Sequence, residues 1–482
     1  MYINILIVLF VIIYFILAWR KLEWAVLLMI AALPSYLIRF NVGAPMTLLE
    51  AMILISFFVW LITKTNLKLF LQGKYGLKEY KENRQKREKY PWRWEIIALL
   101  LISWGAIAVA GFTNGALGIW KAYFFEPILV FILILNLFKD KKGIEKIILA
   151  LAVSAFAVSV LAIYQKLTGN LISNPLWAAA ETRRVVSFFG YPNAVGLYLG
   201  PISMILLGWI MKEFSNFQFF PQRGQVIFKQ FSIDKFLILK IAFAAFTILV
   251  SLLSIFFAKS EGALVGLAAA FFIFGILVNK KIRWATIASA IIIGGTILAY
   301  APARTLVLDK VQLHDLSGQI RRQQWKETWK MLNDGRLLFG AGLDNYQKTI
   351  KPYHQEGIFV YDFHDPDFHA KLVASDELKK KVWQPTEIYM YPHNILLNFW
   401  SELGLVGMLL FVWVIAKYFC LGIKNQELRI KNYINLGLLC AMVVIIVHGL
   451  VDVPYFKNDL AVMFWTMLAM ISLIKLNREK NV

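Results

Sequence analysis

The chain has 482 residues, of which 59% are hydrophobic and 17% charged. This excludes an ordinary water-soluble protein, in which about a quarter of residues are charged, and indicates a protein that crosses a membrane many times. The net charge of +21 does not imply nucleic acid as a partner, because cytoplasmic loops of membrane proteins accumulate Lys and Arg. Cys420 and Cys440 lie in or beside apolar segments, so we predict neither a disulfide in the polar regions nor a cysteine-based metal site.

Thirteen apolar segments of roughly 16–23 residues are each long enough to cross, or nearly cross, a bilayer. They lie near residues 3–19, 23–39, 46–63, 95–112, 122–138, 147–165, 193–211, 237–257, 262–279, 285–302, 394–416, 433–452 and 460–475. The first segment follows Met1 without a basic stretch or cleavage site, so we expect a retained span and not a signal peptide. The predicted fold is all-α and polytopic, with about 12–13 transmembrane helices.

The basic connections between these segments predict the topology. With thirteen spans they all fall on one side, which the positive-inside rule makes cytoplasmic. They are Arg20–Lys21, Lys64–Arg93, Lys139–Lys146, Lys212–Lys240, Lys280–Arg283, Lys417–Lys431 and Lys475–Lys480. The chain then divides into helices 1–10 at residues 1–302, a large external loop with its own helices at 303–393, and helices 11–13 with a cytoplasmic tail at 394–482.

Within the external loop, Gly318–Leu332 is predicted to be a helix. Its apolar face carries Arg321, Trp325, Thr328, Trp329 and Leu332, whereas Arg322, Lys326 and Lys330 form a separate basic stripe. An arginine on an apolar face requires an anion or acceptor oxygens. Arg321 therefore either binds an anionic ligand, pairs with a nearby acid or extends to solvent. The helix is predicted to end near Asn333–Gly335, before a tight turn at Phe339–Gly342.

Arg183 and Arg184 lie about ten residues before a span. A predicted turn at Gly190–Asn193 separates the two arginines from that span, and Asn193 is the candidate N-cap. Guanidinium groups at a membrane surface suit bidentate binding of phosphate. The alternative is ordinary anchoring to lipid headgroups.

His393 lies where the loop re-enters the membrane, and a neutral imidazole there is suited to remove a proton from a hydroxyl. The alternative is an interfacial polar cap. Glu402 lies deeper in the following span and is costly in lipid unless paired. His448 and Asp452, four residues apart, are predicted to be a structural pair.

Phe363–His369 holds two Asp and two His, a set that either binds a divalent metal or forms a solvated turn around Pro366. We expect the turn, with no metal and no cofactor.

Three segments together resemble the O-antigen ligase-like family, polytopic glycosyltransferases that include O-antigen polymerases. Arg184–Asn193 resembles its Arg-x-x-Ser-x-Phe-x-x-Pro-Asn entry to a span. Arg321–Trp325 followed by Leu338–Gly342 resembles its Arg-x-x-x-Trp…Gly-x-Gly segment, and His393–Gly407 its His-Asn…Glu-x-Gly-x-x-Gly segment. One departure is Lys259–Ala263, Lys-Ser-Glu-Gly-Ala, where the family commonly has Ser-Arg-Gly-Ala.

The resemblance implies a GT-C-like membrane enzyme that transfers a glycan from undecaprenyl diphosphate to an acceptor hydroxyl, inverting and without a metal. It would work at the external or periplasmic face of the cytoplasmic (inner) membrane, in the biosynthesis of lipopolysaccharide or another cell-envelope polysaccharide. Arg184 and Arg321 would bind the diphosphate and His393 would activate the acceptor. A second set of residues would also contact the diphosphate or a sugar, and a third set would have structural roles. The second set is Arg183, Arg322, Lys259, Trp325, Tyr389, Tyr391 and Asn394, and the third is Glu402, His448 and Asp452.

Several functions remain open. The acceptor is a lipid, a lipid-linked glycan in an O-antigen or exopolysaccharide polymerase, or a protein in an O-glycan ligase. A transporter or flippase is the rival from another class, and it predicts charged residues at mid-membrane depth and broken helices. Glu50, Glu126, Glu402 and Asp452 are predicted near the ends of their spans, which favours chemistry at the surface.

Overall fold

The structure, a computed structural model, describes residues 2–41, 43, 45–64, 91–216, 235–426 and 432–479. Residues 65–90, which hold most of the basic connection at Lys64–Arg93, lie outside the described residues, as do 217–234, 427–431 and 480–482 of the other predicted basic connections. Among the described residues, eight helices are long and apolar enough to cross a membrane, and four shorter helices are also apolar. The predicted all-α polytopic fold is confirmed.

Nine helices and one hairpin form the described first half of the chain. The helices are α1 (Tyr2–Arg20), α2 (Leu22–Ala31), α3 (Leu48–Lys64), α4 (Arg93–Val109), α5 (Asn114–Trp120), α6 (Glu126–Leu137), α7 (Lys141–Thr168), α8 (Pro175–Ala178) and α9 (Pro192–Asn216). Strands β1 (Arg39–Asn41) and β2 (Pro45–Thr47) pair antiparallel.

Eleven helices and a second hairpin form the described second half. The helices are α10 (Lys235–Ala258), α11 (Glu261–Val278), α12 (Lys280–Ala299), α13 (Ala301–Val311), α14 (Leu316–Met331), α15 (Tyr346–Ile350), α16 (Phe368–Ala374), α17 (Asp376–Val382), α18 (Ile395–Gln426), α19 (Tyr433–Gly449) and α20 (Asn458–Glu479). Strands β3 (Gly357–Phe359) and β4 (Trp383–Pro385) pair antiparallel within the predicted external loop.

The predicted span at 23–39 is wrong as a single helix. Helix α2 ends at Ala31 and is followed by a 3₁₀ turn at Leu33–Leu37, in which Pro34 is the second residue. Proline cannot donate the backbone hydrogen bond that would continue an α-helix. At 1.5 Å per residue α2 is about 15 Å long, roughly half of the hydrocarbon core.

Glu126 also departs from prediction. Helices α5 and α6 are joined by a π-helical turn at Lys121–Phe125, so one continuous segment runs from Asn114 to Leu137 with Glu126 at its middle. Its carboxylate is buried and has no hydrogen-bond partner among the described residues. The prediction that the acidic residues lie near span ends is therefore wrong for Glu126.

Helices α9 and α19 are packed backbone to backbone and form much of the buried core. A Cβ on Gly208 would lie 2.5 Å from the carbonyl oxygen of Tyr433 and 2.8 Å from the Cα of Gly437, so only glycine allows this approach. Close packing of two antiparallel helices brings the start of α9 and the end of α19 together at one face. That face carries the polar residues of the candidate site.

The polar loop docks onto α18 at a break in that helix. Gly404 has φ +74°, and a Cβ there would lie 2.1 Å from the carbonyl oxygen of Leu338. Backbone bonds from Leu405 to Leu338 and from Ala341 to Ser401, of 3.1 and 2.6 Å, join the two segments. The predicted end of the loop helix at Gly335 and the turn after Phe339 are confirmed, with positive φ at Gly335, Gly340 and Gly342.

Candidate active site

Arg184 is held rigidly by three acceptors. Its Nε donates to the carbonyl of Ala258 at 2.9 Å, and its Nη2 donates to the carbonyl of Lys259 at 3.2 Å and to Oδ1 of Asn193 at 3.3 Å. Arginine has five N–H donors, so the pair on Nη1 is left for a ligand. The contacts on Nε and Nη2 fix the plane of the guanidinium, so the two N–H groups of Nη1 have fixed directions in which to donate to phosphate oxygens.

A polar chain runs inward from Arg184. Asn193 donates from Nδ2 to Oδ2 of Asp452 at 3.0 Å, and the same oxygen lies 4.0 Å from Nε2 of His448. The N-cap prediction for Asn193 is wrong, because α9 begins at Pro192 and the Asn193 side chain bridges Arg184 and Asp452. His448 and Asp452 lie close, but at 4.0 Å the direct hydrogen-bond partner of Asp452 is Asn193.

Arg321 lies on α14 within electrostatic reach of this chain. It is half-buried and has no hydrogen bond or ion pair with any residue in the described part of the chain. Burial lowers the pKa of Arg184, with Glu261 opposing and the Arg321 charge lowering it further. Glu261 itself pairs with Lys310 at 2.8 Å. Arg184 and Arg321 therefore lie within electrostatic range of each other, and no carboxylate of the described chain forms an ion pair with Arg321.

His393 is oriented by Gln324, its neighbour on α14. Nδ1 of His393 lies 3.1 Å from Oε1 of Gln324. A side-chain amide oxygen can only accept a hydrogen bond, so Nδ1 carries the proton and Nε2 keeps its lone pair. Burial lowers the pKa of His393, the Asp452 carboxylate opposes this, and the Arg321 charge lowers it again. The imidazole is therefore neutral at pH 7, the form that accepts a proton.

The residues on either side of His393 hold its backbone in the left-handed region, with φ +45°. Trp325 donates from Nε1 to the carbonyl of Pro392 at 2.9 Å. Asn394 caps α18 through bonds from the backbone N–H groups of Leu396 and Leu397, and donates to the carbonyl of Leu450. Strained non-glycine backbone persists where surrounding contacts over-determine it.

Three other predicted site residues make hydrogen bonds within the protein. Arg183 donates to the carbonyls of Ala178 and Lys166 at 3.1 and 3.0 Å, which holds the end of α7. Lys259 contributes its backbone carbonyl to Arg184, and its side chain is exposed. Glu402 accepts from the backbone N–H of Asp344 at 2.9 Å and so secures the loop turn.

The remaining predicted residues have different surroundings. Tyr391 is partly buried and packs against Phe456 at 5.7 Å between ring centroids, and the Tyr389 ring meets the His393 ring edge-on at 5.0 Å. Arg322 lies on a different face of α14, in a groove with Lys326. Trp329, predicted to share the apolar face, is 48% exposed and meets Trp400 edge-on.

Sequence reasoning missed Gln165 and Gln324. The Gln165 side chain is fully buried, accepts from the backbone N–H groups of Val186 and Ser187, and donates to the carbonyls of Leu171 and Ser187. It thereby holds the segment that presents Arg184. Both glutamines left a weak signal: Gln165 is an amide at the end of an apolar span, and Gln324 is three residues from Arg321 on a helix.

The first part of the Phe363–His369 segment forms turns, and Phe368 and His369 begin α16. His364 pairs with Asp309 at 2.9 Å and Asp365 with Lys371 at 2.7 Å. Within the described residues, no group of three or more His, Cys, Asp or Glu side chains is placed to hold a metal ion.

The fold and site define a polytopic membrane protein with a cationic, histidine-containing site between its helices and a long polar loop. Residues 246–412 match the family model described as O-Antigen ligase, a range that includes Arg321 and His393 and ends before His448. No curated protein matches the chain. The match confirms the resemblance to the O-antigen ligase-like family, and it supports a glycan-handling membrane enzyme of the ligase or polymerase type.

If His393 is the base of a glycan transfer, Gln324→Ala is expected to slow that transfer by up to about 100-fold, because a misoriented base loses its alignment with the acceptor. Gln324→Glu places a negative charge beside Nδ1 of His393, raises the pKa of that imidazole and moves the acid limb of the pH–rate profile to higher pH. Gln312→Ala, at an exposed position at the end of α13, is the control. An unchanged profile in Gln324→Glu would show that Gln324 does not act through His393.

Proposed function

We propose that this protein transfers a glycan from an undecaprenyl diphosphate donor to an acceptor hydroxyl, in the manner of an O-antigen ligase. The observation that carries the proposal is the pair Arg184 and Arg321, two half-buried cations within electrostatic range of one another, neither of which forms an ion pair with an acidic side chain among the described residues. Such an arrangement is costly unless an anion with more than one charge binds between them. A diphosphate has that charge and those acceptor oxygens.

The arginines stabilise the charge that develops on the diphosphate as the glycosidic bond breaks. Charge stabilisation by fixed donors is the largest catalytic contribution in many enzymes. Because the diphosphate already leaves as an anion, no strong acid is required at the leaving group. The proposed reaction is inverting and independent of a metal, and transfer is expected to persist in EDTA.

His393 removes the proton from the acceptor hydroxyl through Nε2. Gln324 fixes its tautomer, and the neighbouring Asp452 stabilises the imidazolium that forms. Attack then occurs at the anomeric carbon, on the side opposite the departing diphosphate, and the proton moves to His393 as the new glycosidic bond forms.

The proposed location is the cytoplasmic (inner) membrane, with the site at the external or periplasmic face. The distribution of basic connections supports this orientation and the division of the chain at residues 302 and 393. The biological product is a lipopolysaccharide or a related envelope polysaccharide.

The test is transfer by the purified protein in liposomes, with a labelled undecaprenyl diphosphate-linked glycan and a separate lipid acceptor. We expect label to move to the acceptor and the lipid diphosphate to be released. Translocation of intact donor without transfer would instead identify a flippase, the class that the mid-span Glu126 favours. In a deletion strain, normal polymer length with loss of surface attachment distinguishes a ligase from a polymerase.

A further inference from the structure

A groove lies on the outer side of α14, within the polar loop. It has a volume of ≈ 280 Å³, and its first wall is formed by Gln319, Arg322, Gln323 and Lys326. These positions are spaced by three, four and seven residues, so they form one stripe along the helix. Its second wall is mostly aromatic and is formed by Ile358 and Phe359 of β3 and by Tyr361 and Phe363 just after that strand.

Helix α14 presents this groove on the side opposite the candidate active site. Arg321, Gln324 and Trp325 are each offset by two residues from Gln319, Arg322 and Gln323. At about 100° per residue, an offset of two residues is about 200°, so the two stripes face nearly opposite directions. The groove is therefore a second surface, separated from His393 and Arg321 by one helix.

The aromatic wall is fixed in place. Gln319 donates to the carbonyl of Tyr361 at 2.9 Å and accepts from the backbone N–H of Tyr361 at 2.8 Å. The Phe363 ring stacks on His314 with 3.7 Å between centroids and an interplanar angle of 5°. Phe359 meets Trp383 at 5.0 Å. Phe359 and Phe363 nevertheless stay 41% and 40% exposed, so ring surface remains available to a ligand.

The groove has positive charge that the described chain does not neutralise. Arg322 and Lys326 form no ion pair with any described residue. The nearby acid, Glu327, is engaged by Gln323, by the backbone N–H of Gln355 and by His354 at 3.2 Å. A ligand that fits this groove combines an anionic group with a flat apolar face.

We propose that the groove binds an anionic oligosaccharide, whose sugar faces pack on Phe359 and Phe363 while its carboxylate or phosphate groups contact Arg322 and Lys326. Aromatic rings and a few oriented polar groups are the usual composition of small-ligand sites, and guanidinium groups suit both kinds of anion. That this saccharide belongs to the donor or acceptor glycan, some sugars away from the reacting bond, rests on the proposed function.

The test is direct binding of trigalacturonic acid to the purified full-length protein in detergent, with the neutral trisaccharide maltotriose as the comparison. We expect tighter binding of trigalacturonic acid. The double variant Arg322→Gln/Lys326→Gln should weaken it about tenfold or more, the equivalent of roughly one charge-assisted hydrogen bond. Lys330→Gln/Lys348→Gln removes the same charge from exposed positions outside the groove and should bind like the wild type.

Competition by galacturonate and by glucose 6-phosphate distinguishes the two anions. Stronger competition by galacturonate assigns a uronic acid, and stronger competition by glucose 6-phosphate assigns a phosphate substituent. Equal binding by the two double variants, or no binding of either anion to the wild type, overturns the proposal. Arg321→Ala should leave trigalacturonate binding intact, so failure of the transferase assignment and failure of this proposal give different results.

Discussion

Replacing Arg321 with alanine is expected to reduce the rate of glycan transfer by about 10²–10³-fold, the typical cost of removing one fixed donor that stabilises developing charge. The physical reason is that Arg321 is half-buried near Arg184 and has no acid to neutralise it in the described chain. The measurement is the single-turnover rate in liposomes with a labelled lipid-linked glycan. The variant should fold normally, because no described hydrogen bond or ion pair is lost.

Two matched variants sharpen this result. Arg321→Lys keeps the charge but not the bidentate fork, and should retain part of the activity. Lys330→Ala removes a cation from an exposed position nine residues further along the same helix and should transfer at the normal rate. Full transfer by Arg321→Ala would remove Arg321 from the site.

His393→Ala is expected to lower the transfer rate by about 10²–10⁴-fold, the usual contribution of a positioned general base. The loss should appear in the rate of the chemical step, whereas binding of the lipid-linked donor should stay near the wild-type value. His354→Ala is the control, because His354 pairs with Glu327 and contacts the carbonyl of Thr386 in the loop. Comparable rates for the two variants would contradict the assignment of His393 as the base.

The pH profile provides a further readout of His393. A base acts in its neutral form, so transfer should fall as the pH drops through the pKa of His393. Burial and the Arg321 charge lower that pKa and Asp452 opposes them, with a net decrease. The acid limb should therefore lie below the ordinary histidine value of about 6.5. Arg321→Gln removes a positive charge that lowers the pKa of His393, so this pKa should rise. The acid limb of the pH–rate profile, measured on the activity that remains in this variant, should therefore move to higher pH.

The sequence is sufficient to predict the loop helix and that Arg321 and Arg322 lie on different faces of it. Helical spacing places Arg321 and Arg322 on different faces of the helix. In the structure, Arg321 lies within electrostatic range of Arg184, whereas Arg322 lines the groove on the outer side of α14. The same spacing predicts Trp329 on the apolar face, but this side chain is 48% exposed. Periodicity predicts which residues share a face, but not how far along its length a helix is covered.

Hydropathy identified the apolar segments but not their internal breaks. It could not distinguish the short α2 and its 3₁₀ turn from a full span, because Leu33 and Leu37 keep the averaged segment apolar although Pro34 marks the break. It also began the fifth span too late, which placed Glu126 near an end instead of the middle. The π-helical turn before Glu126 depends on packing with neighbouring helices and has no hydropathy signal.

By itself, the sequence determined the polytopic all-α class, the polar loop at 303–393 and the three motifs that resemble the O-antigen ligase-like family. These follow from composition, helical period and local residue order. Only the tertiary structure decided that Asn193 joins Arg184 to Asp452, that Gln324 orients His393, and that Arg183 supports the end of α7. Each of these contacts joins two side chains, or a side chain and a backbone carbonyl. The two residues of each contact lie far apart in the sequence or at the ends of helices. Their partners are set by how the helices pack, which local pattern does not encode.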